Sequence, residues 1–113
     1  MQGGGHCPLC RLLVLHEVIK RVCRAFDVTQ RNLMEGAAQG KENMVRLMAI
    51  SLCVEFSEMP LRDVAGFFPG ETAETVGRAR VRLQKYLRFI PGLDQKYRRL
   101  RKQAGRIRKD CLS

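Results

Sequence analysis

Long apolar runs are missing from this sequence. The longest, Leu12 to Leu15, falls far short of the roughly 20 residues that a membrane-spanning helix needs, so no membrane span is expected. Strand-period alternation is missing too, which excludes a sheet and leaves an all-α fold. There is no G-x-x-x-x-G-K-[ST] loop to cradle a nucleotide phosphate. No nucleophile stands with a base and an orienting group, and no paired carboxylates mark a polar pocket. The chain therefore reads as non-enzymatic, with no cofactor and no small-molecule substrate. His16, inside a helical pattern, reads as a partly buried structural histidine.

A disulfide framework is excluded as well. The five cysteines, Cys7, Cys10, Cys23, Cys53 and Cys111, are odd in number and mostly sit in or beside apolar helical patterns. No basic start followed by an apolar run and a small-residue cleavage site is present, so reduced thiols and a cytoplasmic location are expected. Cys7-Pro8-Leu9-Cys10 forms a C-x-x-C without a second such pair, and His6 and His16 could complete only a crowded ligand set. No metal is expected there. Redox chemistry at that pair would need a βαβ setting, which the helical pattern denies.

Acidic residues are scarce, and what is present is basic. With 113 residues, 45% of them apolar and 28% charged, the chain has the size of one globular domain, and 21 Lys and Arg stand against 11 Asp and Glu. The resulting net charge of +10 points to a polyanionic partner. Its distribution is uneven. From Arg78 to Lys109 there are 13 basic residues and one acid, Asp94, a balance of +12; the other 81 residues balance at −2. The electrostatic footprint thus lies in the C-terminal third.

Helical periodicity organises the rest. Gln2 to Gly5 reads as part of a flexible lead-in over 1–7. Pro8 opens a first helix over 8–26 that buries Leu12, Leu15, Ile19, Val22, Cys23 and Phe26, and Thr29 caps a short second one that buries Leu33 and Met34. Gly36 to Gly40 reads as a loop. Glu42 to Phe56 is apolar on nearly all sides and should be the central buried helix. A fourth helix over Leu61 to Phe68 ends at Pro69-Gly70, and Thr72 caps a fifth that runs to Phe89 and buries Val76, Ala79, Leu83, Tyr86 and Leu87. After Pro91-Gly92, the positions Leu93, Tyr97, Leu100, Ala104, Ile107 and Cys111 form an apolar seam along a basic helix over 93–113. The seam calls for an apolar neighbour: foremost the domain itself, then a second copy, then a membrane interface.

The fourth and fifth helices, joined by a tight turn, have the proportions of a helix-turn-helix. On the fifth, Thr75, Arg78, Arg82 and Lys85 recur at steps of three and four opposite the apolar face, a stripe suited to a major groove. Over about 17–88 the chain resembles the C-terminal DNA-binding domain of DnaA, the bacterial replication initiator. The match runs through Ile19-Lys20-Arg21-Val22, Phe26-Asp27-Val28, Leu33-Met34, Arg46 to Leu52, Leu61-Arg62-Asp63-Val64-Ala65 and Phe68 to Val76. The resemblance implies a five-to-six-helix, DnaA C-terminal-like or Trp-repressor-like domain over 8–92. It also implies a phosphate contact at Arg46 and a contact at Thr75.

This chain departs from the family at two places. The basic loop before the central helix is reduced to Lys41 among Gly36, Ala37, Ala38 and Gly40, and the signature Arg-Asp-His is replaced by Glu71, Thr72 and Ala73. The expectation is duplex DNA binding with altered or relaxed specificity. Thr72, Ala73, Glu74 and Thr75 are expected near base edges, with Arg78 on a guanine or a phosphate and Arg82, Lys85 and Arg88 on phosphates. Glu71 and Glu74 read as capping or dipole-stabilising residues. The tail cations Lys96, Arg98, Arg99, Arg101, Lys102, Arg106, Arg108 and Lys109 on the last helix would replace the lost loop as phosphate anchor, so deleting the chain beyond Gly92 should flatten the salt dependence. DnaA-like domains also accompany transposase-like proteins, which makes such a protein, or a second copy, a candidate partner. The competing expectation is a protein-interaction domain on the same scaffold without specific DNA binding.

Overall fold

The computed structural model describes residues 8–35 and 40–112. The expected lead-in, with His6 and Cys7, and most of the expected Gly36–Gly40 loop lie outside them. The fold is all-α, with six helices in the order α1 (Pro8–Phe26), α2 (Gln30–Glu35), α3 (Gly40–Ser57), α4 (Leu61–Ala65), α5 (Ala73–Phe89) and α6 (Leu93–Leu112).

Local chemistry sets the ends of these elements. At the close of α1, Asp27 takes a left-handed φ of 55°, Val28 N–H reaches Cys23 C=O at 3.0 Å and Asp27 N–H reaches Arg24 C=O at 3.4 Å. This Schellman arrangement satisfies carbonyls that the helix end would otherwise orphan. Thr29 then accepts from Asn32 N–H at 3.0 Å and caps α2. The fourth helix is shorter than its periodicity suggests. It leaves α-geometry at Ala65, and Phe67 and Phe68 continue in tighter turns that donate to Val64 and Ala65 carbonyls. α3 extends a little beyond the expected Glu42 to Phe56 at both ends.

Two Pro-Gly turns bracket α5. In each, the residue after glycine donates to the residue before proline, Glu71 to Phe68 at 3.0 Å and Leu93 to Ile90 at 3.2 Å. Gly70 (φ 87°) and Gly92 (φ 83°) supply the positive φ that a type II turn requires at its third position. Neither glycine is crowded, so backbone conformation rather than space demands it.

Every residue from Met44 to Cys53 in α3 is buried. A helix without a polar face must be covered on all sides, and α1, α5, α6, α2 and α4 supply the cover. α6 lies antiparallel to α1: Lys96 sits 4.7 Å over the Phe26 ring at one end, and Cys10 Sγ approaches Cys111 C=O at 3.6 Å at the other. Its seam is the domain's own wall, because Leu93, Tyr97, Leu100 and Ala104 are buried, with Ile107 and Cys111 half-buried beside them. The basic helix is thus integral to the core of 8–92 rather than an appendage.

Some expected core positions shift. Leu12, Met34, Tyr86 and Leu87 are only half-buried, whereas Val14 and Val18 on α1 are almost fully enclosed. His16 is exposed and meets Phe67 edge-on at 5.8 Å, which corrects its reading as partly buried. Cys23 and Cys53 are buried free thiols, and burial pushes both thiols up from their ordinary pKa. No helix among the described residues is long and apolar enough to cross a membrane.

The packing of α6 makes truncation beyond Gly92 a test of folding rather than of charge. Leu100→Ala should lower unfolding free energy by about 2–5 kcal/mol in urea titrations, the range for a large-to-small change in a closed core. A loss under about 1 kcal/mol would mean that the seam is not packed in solution.

Candidate nucleic-acid interface

The start of α5 is held by a connected set of polar side chains. Thr72 accepts from Thr75 N–H at 3.2 Å, and Thr75 Oγ1 accepts from Thr72 N–H at 2.8 Å, a reciprocal capping box. The Thr75 hydroxyl lies 2.7 Å from Glu71 Oε1 and donates to it. Glu71 Oε2 lies 3.4 Å from Arg46 Nε, and the other end of that guanidinium donates to the Pro69 carbonyl and stacks near the Phe68 ring. Arg46 thus ties α3 to the Pro-Gly turn, and Glu71 supplies the carboxylate that neutralises it.

These contacts change two expected roles. Arg46, expected on a phosphate, has a side chain only 8% exposed, and its guanidinium is taken up by Glu71 and Pro69. A buried guanidinium needs a partner, and Glu71 provides one. Thr75, expected near base edges, is half-buried with its hydroxyl engaged in the cap. Both residues set the entry angle of α5 instead of facing outward. Glu71 does act at the cap, as its position suggested.

The rest of the expected stripe faces solvent. Val76, Ala79 and Leu83 are buried against the core, so the opposite face of α5 presents Arg78, Arg82 and Lys85, all exposed. Thr72 and Ala73 are exposed at its N-terminal end. Glu74 pairs with Arg78 at 3.1 Å, but both side chains are 71% exposed, and such a pair contributes little and exchanges readily with water or phosphate. Arg82 and Lys85 have no ion-pair partner among the described residues. Gly77 allows α4 to approach, since a Cβ there would meet the Leu61 side chain at 3.2 Å.

On α6 the cations divide into two sets. Arg101 and Arg108 reach inward to Glu55 and Glu58 and tie the helix to the end of α3. Glu55 holds the Arg101 guanidinium more firmly charged, through a hydrogen bond and Coulomb attraction. Arg101 and Arg108, expected on phosphate, are thus tethers. Arg98 is 73% exposed and pairs with Asp94 one turn earlier at 3.0 Å. Arg99, Lys102, Arg106 and Lys109, at steps of three and four, form an exposed outer ridge. Arg99 and Lys102 hold their expected outward positions, and Arg106 and Lys109 complete the face.

The Arg46 and Glu71 assignment is testable by stability alone. Arg46→Ala should cost about 3 kcal/mol in urea unfolding, because it strands a largely buried carboxylate and a carbonyl. Adding Glu71→Gln should recover part of that loss in a double-mutant cycle. Additive single losses would mean that the two side chains do not interact.

Comparison of the chain with protein-family models, with curated proteins and with solved structures finds no match.

Proposed function

We propose that this chain is a non-enzymatic module that binds duplex DNA. In this reading α5 lies in the major groove, and the outer ridge of α6 adds phosphate contacts. The observation that carries the reading is the exposed cationic line Arg78, Arg82 and Lys85 on a helix whose opposite face is locked into the core. A rigid helix N-terminus held by a Pro-Gly turn and a capping box suits groove insertion, since the approach angle is set before binding. Thr72 and Ala73 are the side chains nearest to base edges in that pose, and Ala73 can meet a thymine methyl.

The chemistry favours grip over reading. Arg82, Lys85, Arg99 and Lys102 are long cations without acidic partners among the described residues, which suits phosphates. The reading end offers small or acidic groups: Thr72, Ala73 and Glu74. Affinity would therefore rest mainly on counterion release and fall steeply with salt. The resemblance to the DnaA DNA-binding domain supports the same reading, with specificity altered because Glu71, Thr72 and Ala73 stand where the family has its Arg-Asp-His signature. A transposase-like protein suits such a module as a partner, through a surface other than the α5 stripe.

A salt series of fluorescence anisotropy titrations with a DnaA-box duplex, random duplexes and RNA tests this reading. Each neutralised phosphate adds about 0.9 to the slope of log affinity against log salt, so Arg82→Ala with Lys85→Ala should lower the slope by about 1.8 on duplex DNA. Arg99→Ala with Lys102→Ala should lower it to a similar degree without unfolding the chain. An unchanged slope in both pairs, or equal affinity for RNA and duplex, would overturn the reading.

A further inference from the structure

At the corner between α5 and α6 the surface changes character. One basin of about 660 Å³ is lined by Phe26, Met44, Tyr86, Ile90, Leu93 and Lys96, among others. A second, of about 600 Å³, is lined by Leu47, Arg82, Lys85, Tyr86, Phe89 and Ile90. The two share Tyr86 and Ile90 and so lie side by side, together making the corner groove at the end of α5. Phe89 is 80% exposed at its rim and Ile90 is 39% exposed. The floor is aromatic and aliphatic; the rim carries Arg82, Lys85 and Lys96, and no described residue lining either basin is acidic.

This combination distinguishes among occupants. Duplex DNA presents phosphates to the cations but nothing apolar to cover Phe89, Ile90 and the floor beneath them. A second copy would bring the same cations against themselves in a two-fold contact, on a chain whose net charge is already +10. An amphipathic helix with an apolar stripe and flanking carboxylates satisfies both floor and rim, which is how helices commonly dock into grooves. Large exposed apolar surface framed by charge is also the usual mark of a protein contact. We propose that the α5–α6 corner groove is a docking site for an acidic amphipathic helix of a partner protein, with Phe89 and Ile90 as apolar anchors and Arg82, Lys85 and Lys96 pairing with its carboxylates.

This inference does not rest on DNA binding. Because Arg82 and Lys85 belong to both surfaces, the acidic helix and duplex DNA would compete for the end of α5.

The test uses the full chain without DNA and a fluorescein-labelled acidic peptide helix that carries leucine or phenylalanine at successive turns and glutamates beside them. Two control peptides have the same residues in permuted order, or lysine in place of glutamate. The amphipathic acidic peptide should bind at least about tenfold more tightly than either control. Phe89→Asp and Lys85→Glu should each weaken it by about tenfold or more, with unchanged circular-dichroism melting, since both side chains are exposed. Equal binding of the permuted peptide, or no effect of Phe89→Asp, would reduce the interaction to charge and overturn the proposal. It would equally be overturned if the peptide fails to bind while vesicles containing phosphatidylglycerol co-sediment with the chain through Phe89, because the groove would then be a lipid contact.

Discussion

Everything in this molecule turns on covering α3. A helix buried without a break from Met44 to Cys53 has no face to give to water, so burial must be found around its whole circumference. α1 and α5 supply most of it, and α2, α4 and α6 close the remaining arcs. Each of these helices is apolar on one side, so packing against α3 settles which of its residues face outward. The cationic stripe of α5 and the ridge of α6 are consequences of that arrangement. Both lie opposite the apolar positions that α3 and α1 hold.

Burial also decides how cations are used. Arg46 lies within the buried stretch, and a guanidinium there must be paired and hydrogen-bonded. Glu71 pairs with it and the Pro69 carbonyl accepts a hydrogen bond from it, and Thr75 couples the same carboxylate to the capping box of α5. Arg101 and Arg108 are drawn onto Glu55 and Glu58 at the α3–α6 contact. The cations best placed for an anionic partner are those left outside: Arg82 and Lys85 on α5, with Arg80 and Arg88 exposed beside them, and Arg99, Lys102, Arg106 and Lys109 on α6. Formal charge therefore overstates the interface, and position defines it.

Much of the fold was legible from periodicity. Val76, Ala79 and Leu83 declare the inner face of α5, and Leu93, Tyr97, Leu100 and Ala104 declare the seam of α6, because a helix repeats its neighbours every three or four residues. The caps at Thr29 and Thr72 were equally plain, since a hydroxyl before an apolar run has a local role. The seam did not state what it would meet; only the three-dimensional arrangement assigns it to α1 and α3. Arg46 and Glu71 are 25 residues apart, and no local pattern shows that one neutralises the other. The openness of Tyr86 was hidden for a related reason, since an apolar residue near the end of a helix reads as core until the corner leaves it open.

Backbone amide shifts of the nitrogen-15-labelled chain, followed during titration with a random duplex at low salt, test the central claim most directly. The account predicts that the largest changes cluster at the start of α5, along Arg78, Arg82 and Lys85, and on the outer positions of α6, with the buried stretch of α3 little affected. Changes confined to α1 and α2, or none at duplex excess, would contradict it.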